Sequence, residues 1–211
     1  MRSITRWKRR AYRIMHPRAP RAPRVRLLER VPKGSVCAEI GVWKGDFSER
    51  ILEIVHPARL HLIDPWQAVS GEDYDGARYG RELADGQAEM DAIYASVLAR
   101  FERERRSGVV EVHRLPSAEA AEHFRDGELD FVYIDGNHRY EFVKADLEAY
   151  ASKVRPGGFL AGDDYGVAGW WGDGVTRAVD EFIAAGAASV VALEDRQFVL
   201  RLPTSARPPD R

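Results

Sequence analysis

The stretch LDFVYIDGNHRYEFVKADLEAYASKVRPGGFLAGDDY, residues 129–165, decides the fold. In LDFVYID, Phe131, Val132, Tyr133 and Ile134 form an apolar run bounded by acids and Gly136, the pattern of a strand covered on both faces. Beyond the break GNHR, Tyr140, Val143, Leu147, Tyr150 and Val154 recur at helical spacing. Pro156 is expected to end that helix, Gly157 and Gly158 to reverse the chain, and FLAGDDY to form a second strand. Strand, crossover helix and parallel strand make a right-handed βαβ unit. The first strand closes on Asp135 and the second on Asp163 and Asp164. Parallel strands put their carboxyl ends on one edge, where ligands bind, so these three carboxylates are expected to converge.

The pattern continues outward. VCAEI (36–40) reads as a buried first strand, after which the chain turns through Gly41 and Gly45 into a helix with Phe47, Ile51, Ile54 and Val55 inward. RLHLID (59–64) is a second strand ending on Asp64, and VVEVHRL (109–115) a third. Between them lies a polar, Gly-rich segment, 67–88, and then an amphipathic helix from Met90 to Phe101; residues 67–101 are expected to act as a lid or insertion. SAEAAEHF is a short helix, Val175, Val179, Phe182 and Ile183 mark another, and SVVALED with QFVLRLP forms a C-terminal hairpin. The expectation is an α/β fold: a doubly wound, seven-stranded, mostly parallel sheet with an antiparallel C-terminal hairpin. The organisation is a basic arm (1–33), one domain (34–202) and a frayed tail (203–211).

Composition sets bounds. The 211 residues, 45% of them hydrophobic, suffice for one proper core. A single cysteine, Cys37, excludes an internal disulfide framework and fits a reducing, cytoplasmic setting. No apolar run reaches the length of a membrane span. The net charge of −1 hides an asymmetry: residues 1–26 hold ten Lys/Arg and no acid, which leaves −11 on the remainder. This arm has no apolar region of a secretory leader. It could touch anionic lipid, nucleic acid or an acidic carrier; the plainer expectation is docking on the acidic body of its own or a sister subunit. Base-reading motifs are absent, so nucleic acid is not the expected partner.

Glu39-Ile-Gly41-Val-Trp43-Lys-Gly45 joins a strand to a helix. Such glycines let backbone approach a ligand, and the helix start offers unpaired N–H groups. The spacing is neither GxGxxG nor a phosphate loop, and a carboxylate at Glu39 would repel a pyrophosphate. Asp64 is placed to accept both hydroxyls of a ribose. A ribose ligand with a positive, phosphate-free tail fits better than a dinucleotide, and S-adenosylmethionine is one. Trp43 either walls that pocket or packs under the loop; Ser117 either lies by the adenine edge or caps its helix.

EIGVWKGDFSERIL, LIDPW and the 132–165 run together resemble a class I S-adenosylmethionine-dependent methyltransferase, closest to the macrocin-type sugar O-methyltransferases and the metal-dependent small-molecule O-methyltransferases. The likeness covers roughly residues 34–202. It implies that Glu39, Gly41 and Gly45 hold the methionine moiety, that Asp64 binds ribose, and that Asp135, Asp163 and Asp164 bind Mg²⁺. Catechol-type relatives carry a lysine base three residues after the first metal ligand, where this chain has His138.

Three carboxylates are hard oxygen donors suited to Mg²⁺, and without a cation they repel one another. Such an ion would hold vicinal hydroxyls beside the sulfonium, with His138 and Asp135 as the catalytic groups and Asp135 also beside the cofactor. Alternatively the acids bond backbone N–H groups and His138 caps its helix. Trp170 and Trp171, in the loop YGVAGWWGDG, suit either an acceptor wall or an oligomer contact. The expected activity is methylation of a small-molecule hydroxyl on a sugar, glycoside or catechol-like diol. Its rivals are a metal-independent methyltransferase acting on RNA or a carrier-bound acceptor, and a non-catalytic nucleotide-binding protein.

Overall fold

The structure, a computed structural model, describes residues 23–68 and 86–204. One helical turn, α1 (Pro23–Arg26), runs into a 3₁₀ turn (Leu27–Arg30) and then β1 (Val36–Ile40), α2 (Asp46–Val55) and β2 (Arg59–Ile63). After the segment 69–85, which lies outside the described residues, come α3 (Gln87–Arg100), α4 (Glu102–Arg106), β3 (Val110–His113) and α5 (Ser117–Ala121). The chain closes with β4 (Leu129–Ile134), α6 (Tyr140–Ala151), β5 (Val154–Gly162), α7 (Gly174–Ala184), β6 (Ser189–Glu194) and β7 (Gln197–Arg201).

The seven strands form one sheet in the order β3-β2-β1-β4-β5-β7-β6. The first five are parallel, while β7 runs antiparallel to β5 and β6 antiparallel to β7. The strand order reverses direction beside β1, the switch point where such sheets open a crevice. Because successive side chains point to opposite faces, the buried strands feed two cores. On one face Ala38, Ile40, Val132, Ile134 and Leu160 pack with Val143 and Leu147 of α6 and Val175 and Val179 of α7. On the other, Cys37, Leu60, Leu62, Phe131 and Tyr133 pack with Phe47 and Ile51 of α2 and Met90, Ile93 and Val97 of α3. The α3 portion of the 67–101 segment is thus built into the core. Leu27, Leu28 and Val31 join the same layer and anchor the chain ahead of β1.

One local expectation is corrected. The helix ends at Ala151, and β5 starts at Val154, before the Pro-Gly-Gly turn rather than after it. Val154 pairs with Leu129, yet the next pair is Phe159 with Phe131, so residues between them bulge from the strand. Gly157 takes φ +76°, and a Cβ on Gly158 would lie 2.6 Å from Val154 Cγ1 and 2.8 Å from the Asp130 carbonyl oxygen. Pro156-Gly157-Gly158 therefore kinks a strand instead of reversing the chain. Among the described residues no helix is long and apolar enough to cross a membrane.

Candidate active site

Register delivers the site. Ile63, Ile40, Ile134 and Gly162 lie side by side across β2, β1, β4 and β5. The ladder then runs one residue further: Gly41 N–H donates to the Ile63 carbonyl (2.9 Å), Asp135 N–H to Ile40 (2.8 Å) and Asp163 N–H to Ile134 (3.2 Å). Asp64, Gly41, Asp135 and Asp163 are consequently neighbours along one sheet edge, on strands about 4.8 Å apart. At Gly41 φ is +82°, and a Cβ there would sit 2.1 Å from the Asp135 carbonyl oxygen. Backbone packing against β4 alone demands this glycine. Gly45, at φ +76°, opens α2, and its added Cβ would strike the Phe101 ring at 2.6 Å.

The two acids flanking the turn are both buried. Glu39 accepts a 2.5 Å hydrogen bond from the Ser48 hydroxyl. Burial pushes its pKa up to about 8, against the opposing effects of Ser48 and Arg24. Asp64 accepts the backbone N–H of Trp43 at 2.9 Å and that of Trp66 at 2.7 Å, while the Trp66 indole donates to the Trp43 carbonyl at 2.9 Å. This carboxylate ties the Gly-rich turn to the tip of β2. The half-buried Trp43 ring lies 5.1 Å from the Lys44 ammonium. Ser117 does not cap α5: Pro116 holds the N-cap position without a side-chain bond. Instead the Ser117 carbonyl accepts the Tyr150 hydroxyl at 2.9 Å, joining α5 to α6.

Asp135, Asp163 and Asp164 come together as an acid corner, held by partners from distant parts of the chain. Arg24 pairs with Asp135 and approaches Asp163 at 3.5 Å. Its guanidinium lies 4.3 Å from the Phe47 ring centroid and 4.9 Å from that of Tyr133. Gln197, the first residue of β7, donates to Asp163 at 2.5 Å and accepts the Tyr133 hydroxyl at 2.8 Å. Arg196, in the β6–β7 turn, pairs with Asp164. Burial, and then the charge of Asp135, raise the pKa of Asp163, so the carboxylates repel even with these partners in place.

His138 sits over the corner, with Nε2 3.3 Å from Asp135 Oδ1 and Nδ1 3.7 Å from Asp164 Oδ2. Burial opposes its protonation, but the hydrogen bond and charge of Asp135, with Asp164 and Asp163, lift its pKa above the ordinary histidine value. Its ring packs 4.8 Å from Trp171, and Trp171 stands edge-on to Trp170 at 5.7 Å. Paired hydrogen bonds between Gly169 and Gly172 (3.1 and 3.0 Å) close the turn that presents both indoles.

Arg24, Arg196, Gln197 and the Tyr133 hydroxyl were not foreseen as parts of this site. The only sequence signal for Arg24 was the excess of basic residues ahead of an acidic body; for Arg196 there was none beyond its place in a hairpin turn. A second cluster lies on β2 and β3. Among the described residues, three metal-type ligand atoms within 4.8 Å of one another occur at His61, Glu111 and His113. At the acid corner, guanidinium groups hold the carboxylates instead. His61 Nδ1 and His113 Nε2 are 3.0 Å apart, and burial takes the His61 pKa down to about 4.

A parallel sheet with a Gly-rich turn after its first strand, acids at the next tips and an inserted antiparallel β7 defines a Rossmann-like methyltransferase fold. A family model described as a methyltransferase domain matches residues 38–165, and the chain belongs to that family, as a class I S-adenosylmethionine-dependent methyltransferase. Similar solved structures include the O-methyltransferase NovP, 19% identical over 85% of this chain and 79% of that one, with a TM-score of 0.57. TomG of Streptomyces achromogenes, an O-methyltransferase of tomaymycin synthesis in complex with S-adenosylmethionine, is 19% identical over 89% and 82%, with a TM-score of 0.57. An O-methyltransferase of Bacillus cereus in complex with S-adenosylhomocysteine is 16% identical over 85% and 78%, with a TM-score of 0.55. At these identities the likeness is one of fold. No curated protein matches the chain.

Proposed function

We propose that this chain methylates a hydroxyl of a small molecule, a sugar, glycoside or catechol-like vicinal diol, at the acid corner. The observation that carries the reading is the meeting of Asp135 and Asp163, one residue beyond the tips of β4 and β5, with Asp164 and His138 just after them, beside the Gly-rich turn. Gly41 and Gly45, with Glu39, Trp43, Asp64 and Ser117, would hold S-adenosylmethionine, which would supply a sulfonium methyl. The acceptor oxygen's electron pair forms the new C–O bond, the C–S bond breaks with its electrons left on sulfur, and His138 takes the hydroxyl proton. Asp135 orients His138 through the 3.3 Å contact. Trp170 and Trp171 form the wall on which an acceptor ring stacks.

In donor type the three carboxylates suit a hard divalent cation, since they gain from positive charge; in the present geometry Arg24 and Arg196 supply that charge. Asp135, Asp163 and Asp164 would hold Mg²⁺, which there would lower the pKa of an acceptor hydroxyl. Arg24 on Asp135 favours a second reading, in which the guanidinium serves in place of a metal. Calorimetric titration with S-adenosylmethionine, with and without Mg²⁺, followed by a labelled-methyl screen of vicinal diols, tests the proposal. Labelled ethers formed by the wild type and lost in EDTA and in Asp163→Asn are expected. Transfer that survives both selects the metal-independent reading; label appearing only on RNA or on nitrogen overturns the acceptor class.

A further inference from the structure

We propose that Arg24 is a resident counter-ion of the acid corner that competes with a divalent cation for Asp135 and Asp163, so that metal entry is coupled to withdrawal of α1. The inference rests on the metal reading above and adds the residue that sets how readily the metal enters. Arg24 meets the charge of both carboxylates at once, and its guanidinium faces Phe47 and Tyr133. Tyr133 and Asp163 are themselves linked through Gln197, so the receiving surface is fixed rather than improvised. A cation coordinated by Asp135 and Asp163 would stand against this guanidinium, and like charges cannot share one pair of carboxylates at such range.

One donor atom of Arg24 is left over by these contacts. Its Nε is buried and has no hydrogen-bond partner among the described residues, an unsatisfied donor that a fully committed structural arginine would avoid. The rest of the segment is secured independently. Leu27 and Leu28 are buried, and Arg30 lies 3.6 Å from Glu194 on the β6–β7 hairpin. Departure of Arg24 thus needs the single turn of α1 to reorient with loss of the Arg26–Asp195 pair, while Leu27 and Leu28 stay in the core.

The test is Mn²⁺ binding to the full-length protein, read by electron paramagnetic resonance, for wild type, Arg24→Met and Arg24→Lys. Methionine keeps the apolar contact with Phe47 and Tyr133 without the charge, and lysine keeps the charge without the fork. Arg24→Met is expected to bind Mn²⁺ at least tenfold more tightly than wild type, with Arg24→Lys between them. Adding Asp163→Asn to Arg24→Met should abolish the gain. Hydrogen exchange supplies an independent readout: in wild type, Mn²⁺ should accelerate exchange of the amides at 24–26 and leave 27–31 unchanged. Equal Mn²⁺ affinity in folded wild type and Arg24→Met overturns the inference while leaving the metal reading intact. Absence of Mn²⁺ binding in every variant, with S-adenosylmethionine still bound, overturns the metal reading and the inference with it.

Discussion

Replacing His61 by leucine should remove part of the protein's sensitivity to acid. His61 is 3% exposed, and its imidazole lies against His113 and, edge-on, against the Phe124 ring at 4.8 Å. Burial first, and then the charge of His113, lower its pKa from 6.5 to about 4. The folded state therefore refuses a proton that the unfolded chain accepts. His61 contributes stability fully above pH 6.5, and that contribution is lost as pH falls through 6.5 towards 4. At 1.36 kcal/mol per unit the loss is about 3 kcal/mol in all, of which about 2 kcal/mol falls between pH 7 and pH 5. Glu39, with a pKa pushed up to about 8, works in the opposite direction over part of the same range, so the wild-type profile alone is uninformative. The decisive quantity is the difference between wild type and His61→Leu in urea unfolding at pH 7 and pH 5. Wild type should lose about 2 kcal/mol more than the variant on acidification. Parallel pH profiles for the two proteins would refute the burial argument for His61.

Three further outcomes are expected. Gly41→Ala should cost about 3 kcal/mol or more in urea unfolding, because the new Cβ meets the Asp135 carbonyl at a positive φ; a folded variant of wild-type stability would contradict the close strand approach. His138→Gln should lower kcat about 10²–10⁴-fold with S-adenosylmethionine affinity unchanged by calorimetry; undiminished kcat would remove His138 from the chemistry. Trp171→Ala should raise the acceptor KM about tenfold, a value typical of losing one aromatic wall, with a smaller change in kcat; an unaltered KM would return the paired indoles to a purely structural role.

The parallel sheet was legible because its evidence is local. VCAEI, RLHLI and LDFVYI are short apolar runs ending on acids or glycine, and the 3.6-residue recurrence from Tyr140 to Tyr150 survives intact as α6. The convergence of Asp135 and Asp163 also followed from topology, since register in a parallel sheet carries strand ends to one edge. Pro156 misled because a proline near a helix end usually stops it, whereas here it sits in a strand bulge whose cause is the non-local pairing of Val154 with Leu129. The cationic side of the corner was hidden for a related reason. Arg24 lies 111 residues from Asp135, and Arg196 lies 32 from Asp164. No periodicity distinguishes either from the many arginines around it. Side-chain reach across the fold, not strand or helix pattern, decides such partners.

The corner draws its positive and amide groups from both flanks of the polypeptide, Arg24 ahead of β1 and Arg196 with Gln197 at the start of β7. During synthesis the carboxylates of β4 and β5 emerge well before Gln197 does, and β7 must insert between β5 and β6 to deliver it. The corner thus has its full set of partners only once the β6–β7 hairpin is in place. A chain lacking that hairpin would keep Arg24 against Asp135 and Asp163 but leave Asp164 without its guanidinium and Asp163 without its amide donor.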